Sequence, residues 1–423
     1  MKPVAAVSAV LTMVVWLCAS TTHAFSLNIE DYPDAPPFFL AVAKDSETFY
    51  AFGRRSPLTA IHTLPCTTGQ GAGDKFKEGD LKTPEGVYFI QRTLTRGLDW
   101  GLYGDLAFTL NYPNPVDRLK GKTGSGIWIH GRGQTIVPRD TQGCVALNNP
   151  DLHSIKASLT RGTPVVIARD VVVNDAPGDT SRTASEIVGL LEQWRQSWRA
   201  RSNEYFRFYD QKRYVEPGAP TFRAFRENKE RIFASKSWIE VATYDVQILP
   251  GTDYWVTWFD QYYRTDTFVS QVHKRLYWQR DKEGNWIIVG AEYDRPERDL
   301  EQLYLSEARD RVSGLVENWR QAWESGDIVA YSRHYAPAAV QDARQGIEAI
   351  VVQKTTLWEN NPPRRVELSG LSVDLHPAGL RVTFVQDYES ASGFADRGVK
   401  TLLLEPTASG WRIVSETWTK SSS

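Results

Sequence analysis

The chain has 423 residues, of which 41% are hydrophobic and 24% charged, with a formal net charge of -2 at pH 7. It is too long for one ordinary core, since domains usually run ~100–200 residues, so two or three are expected, and the composition excludes a disordered or collagen-like chain. No basic block stands out, which argues against nucleic acid as a partner, because phosphate binding needs a positive face.

Lys2 is followed by an almost wholly apolar stretch from Val4 to Cys18 and the small-residue run Ala19-Ser20-Thr21-Thr22. Thr22-His23-Ala24 fits a small-x-small cleavage site, so residues 1–24 read as a secretory signal. The apolar stretch is short against the ~20 residues that a membrane span needs. An exported protein of the periplasm or cell envelope is expected, without stable membrane insertion after cleavage. Residues 25–423 keep two cysteines, Cys66 and Cys144, and no methionine. In an exported chain the pair can be a disulfide, or a reactive thiol and a bystander.

Residues 25–169 carry short β-type runs between glycines and prolines, such as Phe38-Phe39-Leu40-Ala41-Val42, Gly86-Val87-Tyr88-Phe89-Ile90 and Pro164-Val165-Val166-Ile167. Residues 149–161 read as one short helix, with Pro150 near its first position and Gly162 at its end. The chemistry gathers at Ile127-Trp128-Ile129-His130-Gly131 and Thr141-Gln142-Gly143-Cys144-Val145-Ala146. An apolar strand delivers His130, and Cys144 follows 14 positions later. That is enough chain to fold the thiol back beside the imidazole. A thiolate is the nucleophile, and an adjacent imidazole takes its proton or holds it as an ion pair. The Gly143 and Cys144 amides are candidate oxyanion donors, and the Gly131 carbonyl is a candidate to orient the ring. The bland readings are a Cys66–Cys144 disulfide and a satisfied buried histidine. Trp128 alternates with His130 and reads mainly as core.

These residues resemble the L,D-transpeptidase catalytic domain (the YkuD family), whose motif is His-Gly, a spacer, then Ser/Thr-x-Gly-Cys. The run Lys82-Thr83-Pro84-Glu85-Gly86 is similar to that family's Thr-Pro-x-Gly segment. The resemblance implies a mostly β sandwich with the thiol at a cleft. It also implies peptidoglycan stem peptides as substrates and an acyl-enzyme on Cys144, with His130 as general base and then acid. Arg132, Arg139, Lys82, Thr83, Thr141 and Ala146 are the candidate substrate-binding positions. Ala146 departs from the Arg or Asn that most of the family has there, and looks more like a hydrolysing subgroup. No cofactor or metal is expected. The nearest two histidines after residue 24, His130 and His153, are 23 positions apart, and no His-Glu-x-x-His or paired-cysteine motif exists. No Gly-x-Ser-x-Gly elbow is present either.

Residues 170–185 are polar and turn-rich and read as a linker. Beyond them the sequence is duplicated. Ile187, Leu190, Leu191, Trp194 and Trp198 mark an amphipathic helix, and Val312, Leu315, Val316, Trp319 and Trp323 repeat it 125 positions later. Val256-Thr257-Trp258 matches Val382-Thr383-Phe384, and Trp286-Ile287-Ile288-Val289 matches Trp411-Arg412-Ile413-Val414. This helix-then-sheet unit resembles the NTF2-like fold, a cone with a pocket. Trp194, Trp258, Trp286, Trp319 and Trp411 read as core rather than as a stacking platform.

The expected fold class is therefore a mostly β catalytic domain over residues 25–169, a YkuD-like β-sandwich, followed by two α+β NTF2-like cone domains over 186–297 and 305–423. The order of domains and Ala146 both resemble the L,D-carboxypeptidases of cell-shape control. That implies removal of the terminal D-Ala from tetrapeptide stems. The alternatives are an L,D-transpeptidase making 3-3 cross-links, a hydrolase detaching a wall-linked lipoprotein, and a non-catalytic wall-binding scaffold. A glycan or protein ligand is the expectation for the NTF2-like pockets.

Overall fold

The computed structural model describes residues 25–54, 58–174, 178–214, 216, 219, 221–407 and 410–421. The expected signal, residues 1–24, lies outside the described residues. Among the described residues no helix is long and apolar enough to cross a membrane.

The first part of the chain builds one eight-stranded sheet. Its spatial order is Leu58–Pro65, Thr48–Arg54, Phe38–Ala43, Pro164–Ala168, Gly86–Leu94, Ala107–Leu110, Trp128–His130, Val145–Ala146. Phe38–Ala43 and Pro164–Ala168 are continuous apolar runs because they lie parallel at the centre, covered on both faces. A register shift between Ile90 and Arg92 breaks the ladder of Gly86–Leu94 against Ala107–Leu110. A bulge of this kind bends a strand. One buried cluster joins Leu40, Val42 and Phe49 from one end of the sheet to Phe108, Ile129 and Val145 from the other. The expected helix over 149–161 is shorter. Asn149–Ile155 is α-helical, and Lys156–Ser158 tightens into a 3-10 turn before Gly162 at φ 86°.

Alternate residues of the same strands, Phe39, Ala41, Val87, Phe89 and Val166, face the other way. They pack against Leu249, Tyr254, Trp258, Tyr277 and Val289 of the first α+β unit. That unit has a helix, Asp179–Arg199, which buries Ala184, Ile187, Leu191, Trp194 and Trp198. They lie on the antiparallel strands Ile239–Pro250, Trp255–Thr265, Val269–Arg280 and Trp286–Asp294. The second unit repeats this with helix Leu300–Glu324 over a six-stranded sheet. The Arg264 guanidinium joins the two units, donating to the carbonyls of Gly379 and His376 at 2.6 Å each.

The expected linker 170–185 is corrected by the structure. Asp170–Val173 forms a parallel strand with Ser26–Ile29, and the long helix already begins at Asp179. The run Asp170-Val171-Val172-Val173 is too short to register as a strand without its distant partner. Residues 175–177 lie outside the described residues.

The Tyr254 hydroxyl is the polar joint between the catalytic sheet and the first unit. It accepts from the Val87 amide and from the Asn114 side-chain amide, each at 2.8 Å. Tyr254→Phe would leave the Val87 amide buried without its acceptor, while the Asn114 side chain keeps only its bond to the Val87 carbonyl at 3.2 Å. The expected outcome is a loss of about 1–3 kcal/mol in urea unfolding, with little change in secondary structure by circular dichroism.

Candidate active site

Two short strands position the chemistry. Trp128–His130 runs parallel to Val145–Ala146, with Ile129 beside Val145 and His130 beside Ala146. Cys144 therefore precedes its strand by one residue, diagonal to His130. Strand spacing and rise put the two Cα atoms about 8 Å apart. Such a gap can be spanned by one imidazole and one thiol reaching toward each other.

The turn that carries the thiol is held by Thr141. Its hydroxyl donates to the Cys144 carbonyl at 2.7 Å and accepts the Gly143 amide at 3.1 Å. Gly143 has φ 129°, and a Cβ there would stand 2.7 Å from the Lys82 carbonyl oxygen. Glycine is required on both counts. The Gly143 amide, expected to face an oxyanion, is thus already engaged by Thr141. This corrects the expectation for Gly143, whose place in the site is conformational. The Cys144 amide is left as the backbone donor of the turn.

Cys144 is partly exposed. The thiol donates to the Gly126 carbonyl at 3.5 Å. Burial pushes the thiol up to about 11, against smaller favourable effects of the Trp128 amide and the Lys75 ammonium. His130 is 3% exposed, and burial pushes its imidazole down to about 4, with the Arg132 charge acting in the same direction. Its Nδ1 lies 2.7 Å from the Gly131 carbonyl, which assigns the proton to Nδ1 and leaves Nε2 as an acceptor. The Gly131 carbonyl is thus the ring's hydrogen-bond partner. The Tyr103 ring closes edge-to-face on the imidazole, centroids 5.1 Å apart. Both shifts favour the uncharged forms, so the resting site is thiol plus neutral imidazole. This arrangement suits a proton that moves to Nε2 as the sulfur attacks.

The other expected residues separate. Arg132 is held by Asp140, through its carbonyl at 3.0 Å and its carboxylate at 2.6 Å. The Arg139 amide is fixed by the Glu47 carboxylate at 2.9 Å, while its side chain stays exposed. The Lys82 backbone, not its ammonium, meets the Gly143 turn. Thr83 is fully buried and its hydroxyl accepts the Gly69 amide at 2.8 Å. It braces the loop and does not line a cleft, because that backbone donor claims it. Ala146 is fully buried and exchanges backbone bonds with Thr67 at 2.9 and 2.8 Å. Cys66 and Cys144 are both free thiols, so the disulfide reading falls.

Lys75, Asp80 and Tyr103 were not singled out from the sequence. Lys75 donates to Asp80 at 2.7 Å, and the same carboxylate caps the amides of Phe76 and Lys77 at 2.7 and 2.9 Å. The spacing of Asp80 after Phe76 and Lys77 was the one readable signal, a loop-capping carboxylate.

Residues 39–167 match the family described as the L,D-transpeptidase catalytic domain. The Cds6 C-terminal NTF2-like domain matches twice, at 186–292 and 311–417. YafK of Escherichia coli, named for a proposed L,D-transpeptidase activity, is 28% identical over 140 residues, which is 32% of this chain and 53% of that protein. The chain therefore spans about half the length of the curated relatives it matches. The solved structure of Bdellovibrio bacteriovorus Bd1075 superposes with a TM-score of 0.54 and 27% identity, covering 63% of this chain and 95% of that one. The helical cell shape determining protein Pgp2 from Campylobacter jejuni superposes with a TM-score of 0.51 and 26% identity, covering 62% and 93%.

A neutral thiol raised this far has a consequence for labelling. Iodoacetamide alkylation of Cys144 should be slow at pH 7 and quicken about tenfold per pH unit toward pH 9. Cys66, buried and pushed up further, should stay unlabelled in the folded chain. A rate already flat above pH 6, measured by mass spectrometry, would instead indicate a preformed ion pair.

Proposed function

The chain belongs to the family defined by the L,D-transpeptidase catalytic domain, joined to two Cds6-type NTF2-like domains, and from that premise we propose that it is a peptidoglycan L,D-carboxypeptidase acting through Cys144. The observation that carries the reading is His130 on one short strand and Cys144 one residue before the strand parallel to it, with the free Nε2 of the imidazole as base. Nε2 takes the thiol proton as the sulfur adds to the carbonyl carbon of the bond between the L-centre of the diamino acid and D-Ala. The Cys144 amide meets the oxyanion. The imidazolium then returns the proton to the departing D-Ala nitrogen, leaving a thioester. Water, deprotonated by Nε2, then attacks the thioester carbon, the C–S bond breaks, and Nε2 returns the proton to the sulfur, releasing the tripeptide stem and restoring the thiol.

Arg139 is the better candidate for the substrate carboxylate, because it is more exposed and meets Asp45 only at 3.8 Å, whereas Asp140 holds Arg132 at 2.6 Å. Ala146 supports hydrolysis, since it supplies no side-chain donor to organise a second amine. A role in cell shape is supported by the likeness to Pgp2, and export by the character of residues 1–24. Transfer to an amine of another stem is the second reading, favoured by the name of YafK.

Cys144→Ala should lower conversion of tetrapeptide to tripeptide muropeptides in purified sacculi by about 10³-fold or more. Unchanged conversion would remove the cysteine mechanism. Mass spectrometry with an added acceptor stem separates the two readings, because cross-linked dimers form only by transfer.

A further inference from the structure

Each α+β unit encloses a pocket, and the two pockets are built from equivalent residues. The first, about 440 Å³, has Trp198, Lys229, Gln261, Tyr263, Lys274 and Tyr293 in its wall. The second, about 320 Å³, has Trp323, Lys354, Gln386, Tyr388, Lys400 and Trp418 in those places. Strand register fixes the equivalence. Lys274 pairs with Tyr293 and Leu276 with Ala291, as Lys400 pairs with Trp418 and Leu402 with Glu416. Ala291 therefore stands where the second unit has Glu416.

Glu416 shows what a lysine at this position binds. Its buried carboxylate takes the Lys400 ammonium at 2.5 Å, the Gln341 amide at 2.8 Å and the Tyr335 hydroxyl. In the first unit Lys274 is only 4% exposed, with its ammonium 4.9 Å from the Trp198 ring and 5.0 Å from that of Trp194. Lys229 also approaches the Trp198 ring, at 4.3 Å. Among the described residues neither ammonium has a carboxylate or carbonyl within hydrogen-bonding distance. Glu216 acts on both only through its field, its carboxylate being held by the hydroxyls of Tyr214 and Tyr293 at 3.0 and 2.5 Å. Aromatic faces replace only part of the hydration that a buried ammonium loses. Burial and the neighbouring Lys229 accordingly push Lys274 down to about 7.

We propose that the first pocket binds a small organic carboxylate with an apolar body, its anionic end between Lys229 and Lys274 and its body against Ile232, Tyr263, Phe268 and Val272. The ligand's carboxylate supplies in the first unit what Glu416 supplies in the second. This goes beyond the catalytic reading and depends on neither Cys144 nor His130.

Octanoate is the probe, titrated into the full chain and followed by calorimetry and tryptophan fluorescence. One saturable site is expected, with 1-octanol and acetate each binding at least tenfold more weakly. Lys274→Met should weaken octanoate at least tenfold, and Lys354→Met, in the second pocket, should leave it unchanged. Lys229→Met, at a partly exposed position, gives the same loss with less risk to folding, which circular dichroism checks. Absence of saturable binding, equal binding of octanol, or unchanged affinity in Lys229→Met overturns the proposal. So does a disaccharide-tripeptide wall fragment that outcompetes octanoate, since it lacks the apolar body.

Discussion

The Thr141 hydroxyl governs where the sulfur sits. It accepts from Gly143 and donates to the Cys144 carbonyl, so three residues of turn close on one oxygen. The Lys82 carbonyl then fills the space that a side chain at 143 would need. Neither contact involves the sulfur itself. The Cys144 thiol is placed by backbone and hydroxyl geometry, which leaves the sulfur itself free of the contacts that fix its turn. The remaining parts of the site follow from that placement. The sulfur comes to rest beside Gly126 and Trp128, one strand from the imidazole.

The electrostatics of this site are decided by burial. Around Cys144 the Trp128 amide and Lys75 favour the thiolate, and around His130 the Gly131 carbonyl favours the imidazolium. In both cases desolvation is the larger effect and keeps the group neutral. A neutral pair gives up nucleophilicity at rest and avoids burying two unpaired charges.

The motif residues were legible because their chemistry needs particular residue types at short range. His130, Gly131, Thr141, Gly143 and Cys144 lie within one stretch, and their order predicts their neighbourhood. The roles of Gly143 and Thr83 were misjudged because hydrogen-bond partners decide them. Gly143 lost its amide to Thr141 two residues away, and Thr83 its hydroxyl to Gly69 fourteen residues away. Lys75 was illegible for a similar reason: a loop lysine reads as solvated until a carboxylate such as Asp80 is seen to bury it. The duplication was legible through its tryptophans, which must recur to fill the same cone. The strand Asp170–Val173 was not, because its partner lies more than 140 positions earlier.

The duplication has a structural asymmetry that its sequence repeat hides. The first unit covers one face of the catalytic sheet with Tyr254, Trp258 and Tyr277, so that face has no other apolar cover of comparable size among the described residues. The second unit touches the first, through Tyr262 stacked on Tyr304 and Arg264 on two carbonyls. The strand faces that cover the catalytic sheet are not those that line the cone. In Trp255–Thr265, for example, Val256 and Trp258 face the catalytic sheet, whereas Phe259 and Tyr263 join the cone's own core. Packing thus constrains one side of the first unit while the pocket side stays free to change. The exchange of a buried glutamate for Ala291 lies on a strand whose next but one residue, Tyr293, lines that pocket. Two copies of one scaffold can then keep aromatic walls around a lysine and differ in whether a buried carboxylate meets it.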